Sequence, residues 1–346
     1  MDAKITKKRL SQMLSYDWLK IIGFVVGAIV VWSLIFTMTA TRITPAQQFT
    51  VMNYKGTTLT SAFSNRYYDL GRQGVFSHEV IELTTVDSTT GGDEMVNTLL
   101  DSRLQTDEGD VLFAAHTKNP SASYTVEGSE EKQYYTYLET FLRGYYLYSL
   151  SLEDTLDSEG NLLEKGLITR MTEYVNGYYG GDYKTGELDK AKVEKDFKKR
   201  IKKKDDKRFK SDAEIKKGVK KEYERIEKYR DGLINFLDYL EKGYIAYQKN
   251  EVKITETYTR QITTLNMCPD ENVMGKLKEE VYYMDKRNAN DPNDPEKMSD
   301  VDTALNINLV FLTTPKMEKQ FQYESILYVN ALVERYCTAL QPAQGA

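Results

Sequence analysis

FSHEVIELTTVDSTTGGDEMVNTLLDSRLQTDEGDVLFAA, residues Phe76 to Ala115, decides the fold. Its first ten residues, Phe76 to Thr85, alternate apolar with polar side chains and read as a strand. Gly91-Gly92-Asp93 then opens a helix, with Asp93 and Glu94 suited to the positive end of its dipole. Met95, Leu99, Leu100 and Leu104 lay an apolar stripe along that helix. Glu108-Gly109 ends it, and DVLFAA, Asp110 to Ala115, is a short apolar strand. Strand, helix and strand in so short a span make a parallel βαβ unit, and the fold class is α/β.

Working outward, FTVMNY (Phe49 to Tyr54) reads as a preceding strand, and Ser61 to Gly71 as a helix or a loop. Tyr134 to Ser149 and Ile168 to Tyr179 read as helices, the second ended by Gly180-Gly181. Ile215, Val219, Tyr223, Ile226, Tyr229, Leu233, Leu237, Leu240, Tyr244 and Tyr247 recur at steps of three and four. This spacing predicts a long helix from Asp212 to Lys249, with Ser211 and Glu214 as its capping box. Val193, Phe197 and Ile201 offer a stripe on a preceding helix, so the pair should form a helical hairpin. Val252 to Thr264 and Ala304 to Thr313 read as strands, Asp285 to Asp300 as an exposed loop, and Met317 to Leu340 as a closing helix.

Near the start, Ile21 to Thr41 (IIGFVVGAIVVWSLIFTMTAT) holds no charge. At about 1.5 Å per residue this run crosses a hydrocarbon core of about 30 Å. Lys4, Lys7, Lys8, Arg9 and Lys20 precede it, whereas only Arg42 and Lys55 follow closely. The basic flank places residues 1–20 in the cytoplasm and the rest outside, as a single-pass protein of the cell membrane. The run exceeds a signal-peptide core and reads as a retained anchor in the lipid bilayer, although Thr39-Ala40-Thr41 offers small residues for cleavage. Roughly 305 residues follow, enough for two lobes or for a domain with a large insertion. The expected division is an α/β lobe from 42–125 and 251–340, and a helical lobe from 126–250 with the long hairpin.

Formal net charge is −5, unevenly spread. Between Lys184 and Arg230 there are 20 Lys/Arg against 11 Asp/Glu, so the remaining body is acidic. An acidic body with one basic segment argues against nucleic acid as a partner, and the basic run reads as a solvated helix face. His78 and His116 are the only histidines, and Cys268 and Cys337 the only cysteines. The cysteines, 69 positions apart, have no metal spacing, although outside the cell they could pair. No metal, cofactor or catalytic residue is expected, and the chain reads as a non-enzyme: the phosphate-loop, HExxH and GxSxG patterns are missing. Asp291 to Asp294 lacks the ordered calcium-loop pattern.

Tyrosine is abundant, 26 residues against 12 Phe. Most sit at helical spacing and read as seam fillers whose hydroxyls reach water. Tyr178 and Tyr179, between Gly177 and Gly180-Gly181, are candidate ligand contacts, because flat faces with polar edges suit sugars. His116 is a further candidate, since the carboxyl ends of parallel strands are where such sheets bind ligands.

The words FTVMNY, HEVIELTT and MVNTLLDSRLQTDEGDVLFA resemble the opening lobe of the extracellular solute-binding proteins of ABC importers. The resemblance covers about 70 residues. It implies two α/β lobes closing around a solute, with contacts near Asn53, Tyr54, Asp87, Ser88 and His116, and ABC permease subunits as partners. The expectation is thus a membrane-anchored protein with a periplasmic-binding-protein-like α/β lobe and a helical insertion, capturing a small solute such as a carbohydrate. The alternative is a structural or interaction protein of the envelope, docking a partner along the hairpin seam at Ile226, Leu233 and Leu237.

Overall fold

The computed structural model describes residues 7–39, 47–87, 93–125, 131–157, 159–204, 206–255, 258–287, 299–313 and 323–341. It divides into two compact units, Met1–Arg42 and Ile43–Ala346. The first is the helix α1 (Lys7–Thr39). Its window Trp18–Phe36 spans 19 residues, apolar apart from Lys20 and Ser33, with no part buried by protein, about 28 Å of helix. A single N-terminal apolar helix of this kind serves as a membrane anchor or as a signal sequence. The helix begins within the basic leader rather than at Ile21, because nothing between Lys7 and Lys20 breaks it. Ala40 and Thr41, the end of the expected span, lie outside the described residues.

The second unit is a mixed α/β domain. In chain order it contains β1 (Gln48–Asn53), β2 (Thr58–Leu59), α2 (Ser61–Arg72), β3 (Glu82–Asp87), α3 (Asp93–Gln105) and β4 (Val111–Ala115). The hairpin β5 (Lys118–Thr125) and β6 (Lys132–Thr136) follows, then α4 (Tyr137–Tyr145), β7 (Ser149–Leu150), β8 (Thr155–Leu156) and β9 (Leu162–Glu164). Next come α5 (Leu167–Asn176), α6 (Lys190–Lys204), α7 (Asp212–Glu241), β10 (Ala246–Lys253) and β11 (Thr259–Asn266). The last elements are α8 (Glu271–Met274), β12 (Val281–Arg287), β13 (Ser299–Thr303), β14 (Ile307–Leu312) and α9 (Glu324–Tyr336).

The main sheet runs β10-β11-β14-β4-β1-β3, with β7 on the far end of β14. β1 is parallel to both β3 and β4, in the registers Gln48↔Glu82 and Val51↔Val111. β14, β11 and β10 continue it antiparallel, so the sheet is half parallel and half not. The strand order follows composition. VLFAA in β4 and INLVFL in β14 are buried throughout, as central strands covered on both faces must be. ELTTVD in β3 is polar and half-exposed, as suits the edge.

Helices cover both faces. Met52, Leu112, Ala114, Val310 and Leu312 pack with Val96, Leu100 and Leu104 of α3 and Leu138, Phe141 and Leu142 of α4. Phe49, Val51, Phe113, Leu309 and Phe311 face α2, α5, α7 and α9. α9 is buried from Glu324 to Asn330 without a break, because β-sheet and α7 enclose it. The helices from 126–250 pack directly on the sheet, α4 on one face and α5 and α7 on the other, within the unit Ile43–Ala346.

Other expectations shift in detail. Phe76 to Ile81 does not pair as strand, because Ser77 and Glu79 are drawn into polar contacts with α9 and α6. The buried stripe on α3 is Val96, Leu100 and Leu104, while Met95 faces water. The helix expected from Tyr134 shortens to α4, which Thr136 and Glu139 start with a capping box. The hairpin of α6 and α7 forms, and the Ser211–Glu214 box is present. However, α7 stops at Glu241, and Tyr247 belongs to β10. Most of the expected 285–300 loop, and residues 317–322 of the closing helix, lie outside the described residues.

α7 meets α9 closely at Gly232. A Cβ there would come within 2.4 Å of Leu327 Cδ2, and Asn330 Nδ2 donates to the Gly232 carbonyl at 2.7 Å. Gly232→Leu should therefore force the helices apart, costing about 1–3 kcal/mol. Urea denaturation of the full chain should show the lower midpoint; an unchanged midpoint would contradict this packing.

Candidate functional site

β1 lies between β3 and β4, with α2 on one face of the sheet and α3 on the other. The chain segments after β1 and β4 thus diverge, making a topological switch point at the carboxyl ends of the strands. There Asn53 is buried and its Nδ2 donates to the Thr57 carbonyl at 2.7 Å and to Asp87 Oδ1 at 3.0 Å. Thr57 Oγ1 accepts from the Ala115 amide at 3.0 Å. The Tyr54 ring packs edge-on against Phe141, 5.2 Å between centroids, and its amide donates to the Phe113 carbonyl. Gly56, at φ +74°, passes beneath the Tyr137 ring where a Cβ would collide. His116 is half-buried, its amide donating to the Asn306 carbonyl, and Asp87 is exposed.

Asn53, Tyr54, Asp87 and His116 therefore stand at the carboxyl ends of three neighbouring strands, with Asn53 and Asp87 in direct contact. Asp87 and His116 are presented to solvent, while Asn53 and Tyr54 are interior. Ser88 lies outside the described residues. Tyr178 and Tyr179 stand apart, after α5. Tyr178 packs against Tyr174 and its hydroxyl donates to Asp196 at 3.3 Å. Tyr179 is buried under the Arg230 guanidinium. The seam residues Ile226 and Leu233 are fully buried, and Leu237 packs on the same core, so that seam is spent inside the chain. Cys268 and Cys337 are both buried thiols.

A second constellation was not expected from the sequence. Glu79, between α2 and β3, and Glu222 of α7 are buried carboxylates bridged by Arg200 of α6, at 2.8 and 2.9 Å. Arg208 adds a second guanidinium to Glu79 at 3.0 Å and is itself held by Asp206. Arg225, 1% exposed, pairs with Glu222 and reaches the Tyr174 hydroxyl at 3.0 Å. Tyr229 continues the chain by donating to Glu324 Oε1 at 2.7 Å, and Glu324 Oε2 accepts from the Ser77 amide. The only signal in sequence is that arginines replace lysines at these positions of a lysine-rich run. A planar fork suits a buried carboxylate better than an ammonium does.

Burial alone would raise the Glu79 carboxyl. The His78 ring, Arg200 and Arg208 outweigh that and hold it far below the usual carboxylate range. Glu222 is also lowered, with burial opposed chiefly by Arg225. His78, Glu79 and Glu222 place potential ligand atoms within 4.8 Å of one another. His78 Nε2 stands 3.3 Å from Glu79 Oε1. Both carboxylates already hold guanidinium groups, and a metal ion would meet that positive charge, so the residues do not suit one.

An open cleft of about 570 Å³ borders this network, lined by Tyr68, Arg72, Phe76, Ile81, Glu82 and Leu83 among others. Tyr68 and Ile81 are each 53% exposed. It lies at the amino end of β3, away from the switch point, and none of the sequence-predicted residues lines it. Inside the sheet, Asp110 accepts from the Thr50 amide at 2.7 Å. Burial raises its carboxyl to about 8, against the help of that amide and reinforced by Glu324. No protein-family model, curated protein or solved structure matches this chain.

Two outcomes follow from these charges. Arg200→Met should cost about 3 kcal/mol, because it leaves buried carboxylate charge under-compensated. Adding Glu79→Gln should restore part of the loss in urea denaturation, and a single variant as stable as the parent would contradict the network. The second concerns pH. Asp110 binds its proton more tightly folded than unfolded, so its stabilisation is complete below about 3.8 and is lost as pH rises toward about 8. Glu79 acts in the opposite sense, its contribution present above about 4.5 and lost in acid. Melting temperature should therefore fall between about pH 5 and about 8, and Asp110→Asn should flatten that slope. An equal slope in both proteins would show that Asp110 is not its source.

Proposed function

We propose that this chain is a membrane-anchored, non-enzymatic binding protein whose α/β domain captures a small extracellular solute, of the carbohydrate class, for an ABC importer. The reading is supported by the succession β1-α2-β3-α3-β4, which follows the order that the solute-binding-protein resemblance implies, with all three strands parallel. It is carried by one observation: at the carboxyl ends of three parallel strands stand Asn53 and Asp87, joined by a hydrogen bond, Tyr54 next to Asn53, and His116 after β4. In this reading Asp87 and His116 touch the solute, while Asn53, through its bonds to Thr57 and Asp87, sets the geometry beneath. α1 stays in the bilayer, the N-terminus is cytoplasmic and residues 42–346 face outward.

A second reading, an envelope interaction protein, is favoured by residues 43–346 forming one contact unit, in which the described residues mark off no second lobe to close over a solute. Its partner would dock on an outer surface, since the Ile226–Leu233 seam is interior.

Melting of the full chain in nanodiscs, across a panel of sugars and small polar solutes, separates the two. Capture predicts a rise for one chemical class, since a ligand at about a hundred times Kd adds about 2.7 kcal/mol to the folded state. Asp87→Ala and His116→Ala should each reduce that rise; His116→Ala leaves the unliganded melting temperature in place, whereas Asp87→Ala lowers it, because buried Asn53 loses an acceptor. No rise anywhere in the panel would overturn solute capture and favour the interaction reading.

A further inference from the structure

Around the turn between α6 and α7, arginines and lysines take different places. Arg200, Arg208 and Arg225 turn inward and are held by Glu79, Asp206 and Glu222. Lys199, Lys202 and Lys203 of α6 and Lys216, Lys217 and Lys220 of α7 are exposed near the turn that joins the two helices. Among the described residues none of these six makes an ion pair. From Lys190 to Lys221 there are 16 Lys/Arg against 6 Asp/Glu.

This arrangement works against the helices themselves. Lys195 and Lys199, Lys198 and Lys202, Lys199 and Lys203, Lys216 and Lys220, and Lys217 and Lys221 each stand four residues apart. Like charges at that spacing repel along a helix face and weaken it. An external anion removes that repulsion. Ammonium groups on long stems suit a diffuse anionic surface, because they stay hydrated and need no fixed partner geometry. α1 meanwhile ties the domain to a bilayer, where intramolecular encounter gives a high effective concentration.

We propose that the α6–α7 hairpin tip docks on anionic phospholipid headgroups of the membrane that holds α1. The inference rests on the anchor being retained. Nucleic acid is the weaker fit, because outside this segment and the leader the chain is acidic. Docking would limit the orientations of the domain and thereby the direction in which the switch-point edge faces.

The test uses the full chain in vesicles. Lys203→Cys carries a fluorophore, and Leu163→Cys, exposed on β9, serves as the control; the native thiols are buried and should not react. The quencher is a headgroup spin-labelled lipid, in vesicles of phosphatidylcholine alone or mixed with phosphatidylglycerol. Docking predicts quenching at position 203 that depends on phosphatidylglycerol, spares position 163 and fades with salt. Replacing Lys199, Lys202 or Lys220 by Gln should lower the docked-to-undocked ratio about five-fold per lysine. Equal quenching in both lipids, or no change in the Gln variants, overturns the proposal. Double-stranded DNA that displaces the label from phosphatidylglycerol at lower phosphate concentration also overturns it, in favour of nucleic acid. Alkaline extraction of the same vesicles separates the two layers of the argument. Release of the chain overturns anchor and docking together, whereas retention with equal quenching overturns docking alone.

Discussion

Two buried glutamates shared among three arginines hold this domain together. Glu79 comes from the link between α2 and β3, Glu222 from α7, and Arg200 from α6, so one guanidinium joins three parts of the chain. Arg225, Tyr229 and Glu324 extend the connection to α9, which lies against the sheet. Each link is charge-assisted and sheltered from water, where such bonds are strong and their loss is costly. Apolar burial alone would let a helical hairpin slide along its seam. A chain of directed polar bonds fixes its register, and with it the position of the lysine-bearing tip.

The sequence made the architecture legible where one residue pattern admitted one structural use. DVLFAA reads as a short apolar strand, and its VLFAA is β4, covered on both faces. Ser211 and Glu214 marked the first turn of α7 correctly, because a capping box is local chemistry. Patterns that depend on distant partners were harder to read. The alternation in FSHEVI resembled a strand, yet its polar members serve Glu324, Arg200 and Arg208, which lie over a hundred residues away. The tyrosines at the end of the seam period continue the helical spacing of α7, yet Tyr247 belongs to a strand, since aromatic residues suit both.

The candidate site shows the same division. The end of the DVLFAA strand can be located from sequence, which points to His116, whereas Asn53 and Asp87 enter only through the solute-binding-protein resemblance. Which of them faces solvent depends on the loop that returns through Gly56 and Thr57, and no periodicity encodes that. The arginine–glutamate network escaped notice because charge runs normally mark solvated surface. The distinction lay in the kind of cation, Arg against Lys, rather than in the amount of charge.

The middle of the sheet has a consequence for how the chain matures. β14 lies between β4 and β11, and α9 fills the space between sheet and α7, yet both come from the last forty or so residues described. Within Ile43–Ala346 these keystones come after the segments they complete. Without them β4 lacks its neighbour and the larger core has a vacancy, so early segments have little to condense upon. The larger core therefore closes through contacts of long sequence separation, which form slowly.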